Sequence, residues 1–437
     1  MPTSPADAPL PRADDRAGYW APWWVLAFVV FWPLPGVAEG VLVLGALYAA
    51  ARMVARRMRG QPRLLTPAAW ALTSILFLGF WLPQAFSVID AVDPGTAWSK
   101  AAAGLRYLPF MWLVAIAVGE PGRRRLTLQG LGVITAIWTL DALVQAVAGT
   151  SPLFWSLDQL KQLGSGHGLC APADMDAVGR LGGVLGPCNL KLGQVLASLS
   201  PFLLLPLAQR FGRAAWLLAV LVLATVLLLA GSRASWLTFA LVVAYSGWRV
   251  LGMRQMLLLA AAVLAGAVAL ALTVPALGER VQRTALALKG DRAGVDQALS
   301  GRGRIWMAAG CMIEHHPVNG VGARGFREAY PGCDPQPDTP GEWGPGPALH
   351  AHQIVLEILA ETGVLGLLLW LAAAAQAWRA WRYAPAAARE RARPAMLALA
   401  VTVFPFNTHL AFYSTFWGGV TVLLAALFAG SLLARDR

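Results

Sequence analysis

Charge is scarce in this chain. Only 13% of its 437 residues are charged and 57% are apolar, whereas an ordinary soluble domain carries about 25% charge. A soluble globular fold is therefore excluded. Apolar runs long enough to cross a bilayer, roughly 17–25 residues each, recur from end to end. The polar start, MPTSPADAPLPRADDRAG, lacks a basic n-region and a small-residue cleavage site. Residues 1–18 therefore read as a short disordered cytoplasmic tail and not as a removable signal peptide. Cysteine is nearly absent: Cys170, Cys188, Cys311 and Cys333 are the whole set. Intramembrane acids are few and no internal repeat is visible. Both absences argue against a transporter for lipid-linked sugars, which needs ionisable groups near mid-membrane on several helices and internal symmetry.

What is present reads as an all-α polytopic membrane protein of about twelve transmembrane helices. Hydrophobicity and the Gly, Pro and Arg breaks place spans near 19–34, 37–51, 65–84, 103–119, 126–148, 190–208, 214–231, 233–250, 256–275, 353–378, 394–412 and 415–433. The first two, parted by PLPG, are short enough to be one kinked pair. With the N-terminus in the cytoplasm, the short inward segments hold 21 of the 35 Lys and Arg residues, as the positive-inside rule requires. That distribution explains the net charge of +12 without any nucleic-acid partner. The chain then divides into the tail at 1–18, nine spans over 19–276 with an outward loop at about 149–189, a large outward loop at 277–351, and three spans with a cytoplasmic C-terminus over 352–437. All four cysteines fall in the two outward loops, two in each. An oxidising outer compartment permits the pairs Cys170–Cys188 and Cys311–Cys333, and four free buried thiols are the alternative.

Three arginine settings stand out on the outward side. Arg233, in LLLAGSRASWLTFA, follows a two-residue turn between apolar runs of about 16 residues, or about 24 Å each. The hydrocarbon core is about 30 Å thick, so Arg233 should lie slightly below the headgroups. It either snorkels or pairs with an internal acid, or it forms an anion site open to the bilayer. Arg302 and Arg304 lie where Ser300–Gly301 can begin a helix that His316–Pro317 would end. Arg180, in GRLGGVLGPCNL, precedes another span in a similar way. Helix N-termini with guanidinium forks suit phosphate oxygens. Several arginines near one face, with no evident acidic partner, favour a diphosphate.

His350 and His352 end the large loop where the next span begins. A neutral imidazole suits general-base work near neutral pH. His352 is the better placed, with His350 as a supporting residue, although a helix N-terminal side chain bonding local backbone is the plain alternative. Glu357 and Glu361 share one face of the following helix. For Glu361, close to Gly363, bonding to broken-helix backbone or a nearby arginine is a more natural role than catalysis. Asp174 and Asp176 form a D-x-D pattern of a kind that arises often by chance, so no metal site is assigned.

Taken in order, GSRASW (231–236), SGRGRIW (300–306) leading to HPVNGVGARGF (316–326), and HQIVLEILAETGVLG (352–366) resemble the O-antigen ligase/polymerase superfamily. The resemblance covers roughly 180–366 by motif and the whole chain by topology. It implies a GT-C-like glycosyltransferase of the Gram-negative bacterial inner membrane, with a periplasmic active site and no cofactor. The implied donor is a glycan linked to undecaprenyl diphosphate. In the ligase branch the acceptor is a sugar hydroxyl on lipid A–core, and the surroundings are membrane lipids. By motif, Arg233 and Arg302, with Arg180 matching less closely, would bind the diphosphate. His352 would activate the acceptor for inverting, metal-independent attack, with Arg304, Glu357 and Glu361 in support. The chain departs from the family's His-Asn pair in having His352-Gln353. A polymerase using the same donor is the nearest rival, but its R-x10-G spacing, met by Arg292 and Gly303, carries little weight in a glycine-rich chain. A protein oligosaccharyltransferase would be expected to extend further past its last span than LLARDR.

Overall fold

The computed structural model describes residues 17–171, 180–273, 301–341, 343–344, 346–408 and 410–435. The tail before residue 17, Asp174, Asp176, Arg292 and Ser300 lie outside these. Among the described residues the architecture is all helical, with one isolated bridge between Gly341 and Gly344.

Sequence punctuation explains most helix starts. α1 (Ala21–Val30) and α2 (Pro35–Met58) are parted by residues 31–34, Pro33 among them. At about 1.5 Å per residue α1 is only about 15 Å long, too short to span alone, whereas α2 reaches about 36 Å. α3 (Pro67–Phe86) opens at Thr66, whose Oγ1 accepts the Ala69 N–H at 3.0 Å. α4 (Pro94–Gly104) opens at Asp93 in the same way, on Thr96. α5 (Tyr107–Val118) follows almost directly, then α6 (Pro121–Ala148). α7 (Pro152–Ser165) is capped by Ser151. In each capped case a side-chain oxygen satisfies an orphan helix donor, and proline at the first position gives up a donor that had no partner.

A 3₁₀ turn (Gly183–Leu185) leads to α8 (Leu192–Ala230), which bends at Gly212 (φ 78°, ψ −168°) into the two halves expected as separate spans. α9 (Arg233–Val250) and α10 (Met253–Thr273) complete the first part. α11 (Arg302–His315) and α12 (Phe326–Cys333) belong to the large loop. α13 (Ile354–Tyr383), α14 (Ala386–Thr402) and α15 (Thr415–Leu432) close the chain. Seven stretches are long and apolar enough to cross a bilayer: α2, α3, α4–α5 together, α6, α8, α13 and α15, with α1 and part of α10 as shorter apolar helices.

One expected span is corrected. Residues 394–412 are not a single helix, because α14 stops at Thr402. Pro405 lacks the N–H that would continue it, and the Asn407 side-chain amide donates to the Thr402 carbonyl at 3.0 Å, satisfying an orphan acceptor. The described residues from Val403 to Ser414 are non-helical.

α15 forms the centre, buried from Trp417 to Leu432 and packed on α3, α5, α13 and α14. Small residues permit that closeness. A Cβ added at Gly430 would stand 2.7 Å from the Ala115 Cα of α5, the tight approach on which helix pairs rely in lipid. Large apolar side chains such as Leu44, Leu47, Leu218 and Trp248 point outward, as expected where lipid is the solvent.

The bundle has two chemically distinct ends. At one, Glu390 pairs with Arg249 and Arg393. There Arg391 donates to the carbonyls of Ser431, Leu432 and Ala434, and Arg435 to that of Arg63. These residues come from the segments assigned inward by charge, and they meet one another. The other end carries α11 and α12, with a separate apolar cluster of Ile305, Ala308, Met312, Phe326 and Tyr330 seated against Ala360 of α13.

Candidate functional site

The site begins with a break in α13. Gly363 has a left-handed φ of 65°, and the segment 317–322 lays its backbone into the gap. Val321 and Gly322 donate to the carbonyls of Ala360 and Glu361 at 2.8 and 3.0 Å, while Val364 and Leu365 donate to those of Pro317 and Val318 at 2.9 and 3.2 Å. A Cβ on Gly363 would strike the Val318 carbonyl, and one on Gly320 would strike the Glu361–Thr362 peptide. The glycine-rich NGVG stretch is thus a clasp. It also holds the α3–α4 loop, through Val92 N–H to Val321 O at 3.0 Å and Asn319 Nδ2 to Asp90 at 2.9 Å.

The buried glutamates serve this clasp. Glu361 Oε2 accepts the backbone N–H of Arg324 at 2.8 Å, and Glu357 Oε1 accepts that of Tyr413 at 3.3 Å. Arg324 itself is held at φ 67°. Each acid bonds backbone from a neighbouring segment, the non-catalytic alternative already weighed for Glu361.

Above the clasp, α13 opens with Gln353, whose Oε1 accepts the Leu356 N–H at 2.6 Å while its Nε2 donates to the Pro405 carbonyl at 3.0 Å. Gln353 thereby ties the helix start to the irregular segment at 403–408. The peptide before it is pinned from α11, where Trp306 Nε1 donates to the Ala351 carbonyl at 3.1 Å. Between these anchors His352 takes φ 53°, a left-handed conformation uncommon outside glycine, with its ring 3.8 Å from that of His350, centroid to centroid.

Arg302, at the first position of α11, donates from Nη1 to Thr408 Oγ1 at 3.1 Å. Burial, and then the charges of Arg233 and Arg180, hold its guanidinium below the usual arginine range. The three arginines therefore stand close enough to repel one another. Local structure explains the meeting: Leu181 N–H bonds the Leu229 carbonyl at 3.3 Å, and Gly231 (φ 69°) turns α8 into α9. Arg180 is thereby set beside Arg233. His352 joins the group. Burial first, and then Arg302, push its imidazole down to about 4, against a smaller upward pull from the Thr408 backbone. Its Nδ1 is buried with no hydrogen-bond partner among the described residues.

Arg304 does not join them. It forms a two-pronged pair with Asp334 at 2.7 and 2.6 Å, bonds the carbonyls of Gln336 and Thr339, and lies 5.4 Å over the Trp343 ring. The expectation of arginines without acidic partners fails for this residue, which latches the 334–340 segment. The Asp334 carboxyl is held below the usual carboxylate range by the Arg304 hydrogen bonds. The cysteines are joined as Cys170–Cys188 and Cys311–Cys333, with Cα–Cα distances of 5.6 and 5.7 Å, and the second bond staples α11 to α12.

Sequence reasoning missed Thr408 and its segment. The signal was present in FPFNTH (404–409), where proline and asparagine interrupt an apolar run.

Comparison with known proteins adds a family. No curated protein matches the chain. Residues 217–371, from the second half of α8 into α13, match the family described as O-Antigen ligase. That stretch, about a third of the chain, is similar to the O-antigen ligase family and contains Arg233, Arg302 and His352, three of the four convergent groups.

Proposed function

We propose that this protein is an O-antigen ligase of the Gram-negative inner membrane. It moves a glycan from undecaprenyl diphosphate to a sugar hydroxyl of lipid A–core at the periplasmic face. The observation that carries the reading is the convergence of Arg180, Arg233 and Arg302 beside one neutral imidazole. Like charges gathered at one spot suit a multivalent anion, and a diphosphate is one whose charge grows as it departs. The guanidinium groups bind it and stabilise that developing charge, a kind of electrostatic contribution often worth several kcal/mol. His352 takes the acceptor's hydroxyl proton as the oxygen attacks the anomeric carbon. The bond from that carbon to the diphosphate oxygen breaks, and configuration inverts. The energy resides in the donor, so no nucleotide is consumed.

The test uses purified protein in lipid nanodiscs with undecaprenyl diphosphate-linked glycan, with and without lipid A–core. Glycan attached to lipid A–core, and no reaction in its absence, is the expected result. Lengthening of the glycan without lipid A–core would make the protein a polymerase instead.

A further inference from the structure

A second cationic cavity lies on the same end of the bundle. It has a volume of about 420 Å³ and is lined by Lys100 of α4, Arg324 and Arg327 at the start of α12, and Ser414 and Thr415 at the start of α15, with Glu328 as the one acid in its wall. That volume falls within the roughly 300–1,000 Å³ of ordinary ligand clefts. The clasp fixes its geometry: Glu361 holds the Arg324 backbone, and the left-handed φ of 67° sets the direction of that side chain. The Nη1 of Arg324 is buried with no hydrogen-bond partner among the described residues. Glu361 stands behind Arg324 and Arg327, and Glu39 lies near Lys100 but pairs with Arg106 at 2.7 Å.

None of these residues belongs to the Arg180–Arg233–Arg302 group, yet one segment touches both places. Thr408 bonds Arg302 and Ser414 lines the cavity. Six residues of chain reach at most about 21 Å, so the two sites lie within the length of a few sugar rings.

We propose that this cavity binds a phosphate group on the acceptor glycolipid, with Lys100, Arg324 and Arg327 as its ligands and Ser414 and Thr415 as hydroxyl donors. The proposal rests on the ligase reading for the identity of the acceptor. It fixes the acceptor at a point away from its reacting hydroxyl while the donor is held by the other three arginines.

The test measures binding without donor, so it does not depend on transfer. Phosphorylated lipid A–core and its phosphatase-treated form are titrated onto the full-length protein in zwitterionic nanodiscs. Wild type should prefer the phosphorylated form by about tenfold or more, as loss of charge-assisted hydrogen bonds implies. In Lys100→Gln/Arg327→Gln that preference should fall toward unity, and in the milder Lys100→Gln it should fall part way. Arg302→Gln should keep it. An unchanged preference in both cavity variants, or none in wild type, overturns the proposal. Nanodiscs containing phosphatidylglycerol separate the sources: a preference that vanishes there assigns the cavity to a bilayer headgroup and overturns the acceptor assignment.

Discussion

At the scale of single residues, the acid–base behaviour of His352 gives the sharpest expectations. A general base works only when deprotonated. With its imidazole held at about 4 by burial and Arg302, His352 is neutral throughout the ordinary range, and kcat/KM should fall only as the pH drops toward 4. A bound diphosphate offsets the guanidinium field, so the same group should titrate higher in the substrate complex. The acid limb of kcat should therefore lie at higher pH than that of kcat/KM, as parallel pH profiles would reveal. Coincident limbs would remove Arg302 as the controlling charge. His352→Ala should lower transfer by about 10²–10⁴-fold while the protein still inserts and keeps its melting temperature. Arg302→Gln should raise the KM for donor, measured with acceptor saturating, and also lower kcat.

The candidate residues were legible as types but not as partners. Arg180, Arg233, Arg302 and His352 could be named because charge at a membrane edge is expensive and calls for a reason. Arg304 looked equivalent to Arg302 two positions earlier. On a helix, however, two positions is more than half a turn, so the two guanidinium groups point to different neighbours. Asp334, thirty residues away in sequence, could not be paired with Arg304 from spacing alone.

At the scale of elements, helix starts and breaks were written in prolines, small caps and glycines, and most spans followed from them. The exception is α14, where hydrophobicity outvoted Pro405 and Asn407. A helix break beside Gly363 was foreseen in the reading of Glu361, but the 317–322 segment that fills it was not, because that depends on backbone groups meeting across the fold. The clasp yields a clear expectation. Gly363→Ala places a methyl against the Val318 carbonyl at a left-handed backbone position, so it should cost on the order of 1–3 kcal/mol or more. The readout is a lower melting temperature together with reduced transfer. An unaltered melting temperature would mean that the clasp contributes little.

At the scale of the whole molecule, charge patterning sorted the connections into two sets, and the structure brings the residues of one set together around Glu390. A cysteine placed at Arg57, in an otherwise cysteine-free variant, should resist a membrane-impermeant thiol reagent added outside intact spheroplasts. One placed at Leu349 should react. The opposite pattern would invert the protein and remove the periplasmic reading. Transfer should also survive a strong chelator, because guanidinium groups supply the positive charge. Loss of activity with recovery on adding Mg²⁺ or Mn²⁺ would turn attention to Asp174 and Asp176.

The early end of α14 has a further consequence. Arg391 bonds the carbonyls at the foot of α15, so the two helices share a common floor. From there α14 climbs only about 16 Å to Thr402, while α15 climbs about 26 Å to Thr415. The described residues between Val403 and Ser414 therefore cover the remaining height as non-helical chain, whose peptide groups need partners other than a helical ladder. Buried side chains such as Asn407, Leu410 and Phe412 pack along that stretch. The missing turns of α14 thus leave room beside α15 for the segment that carries Thr408 to Arg302.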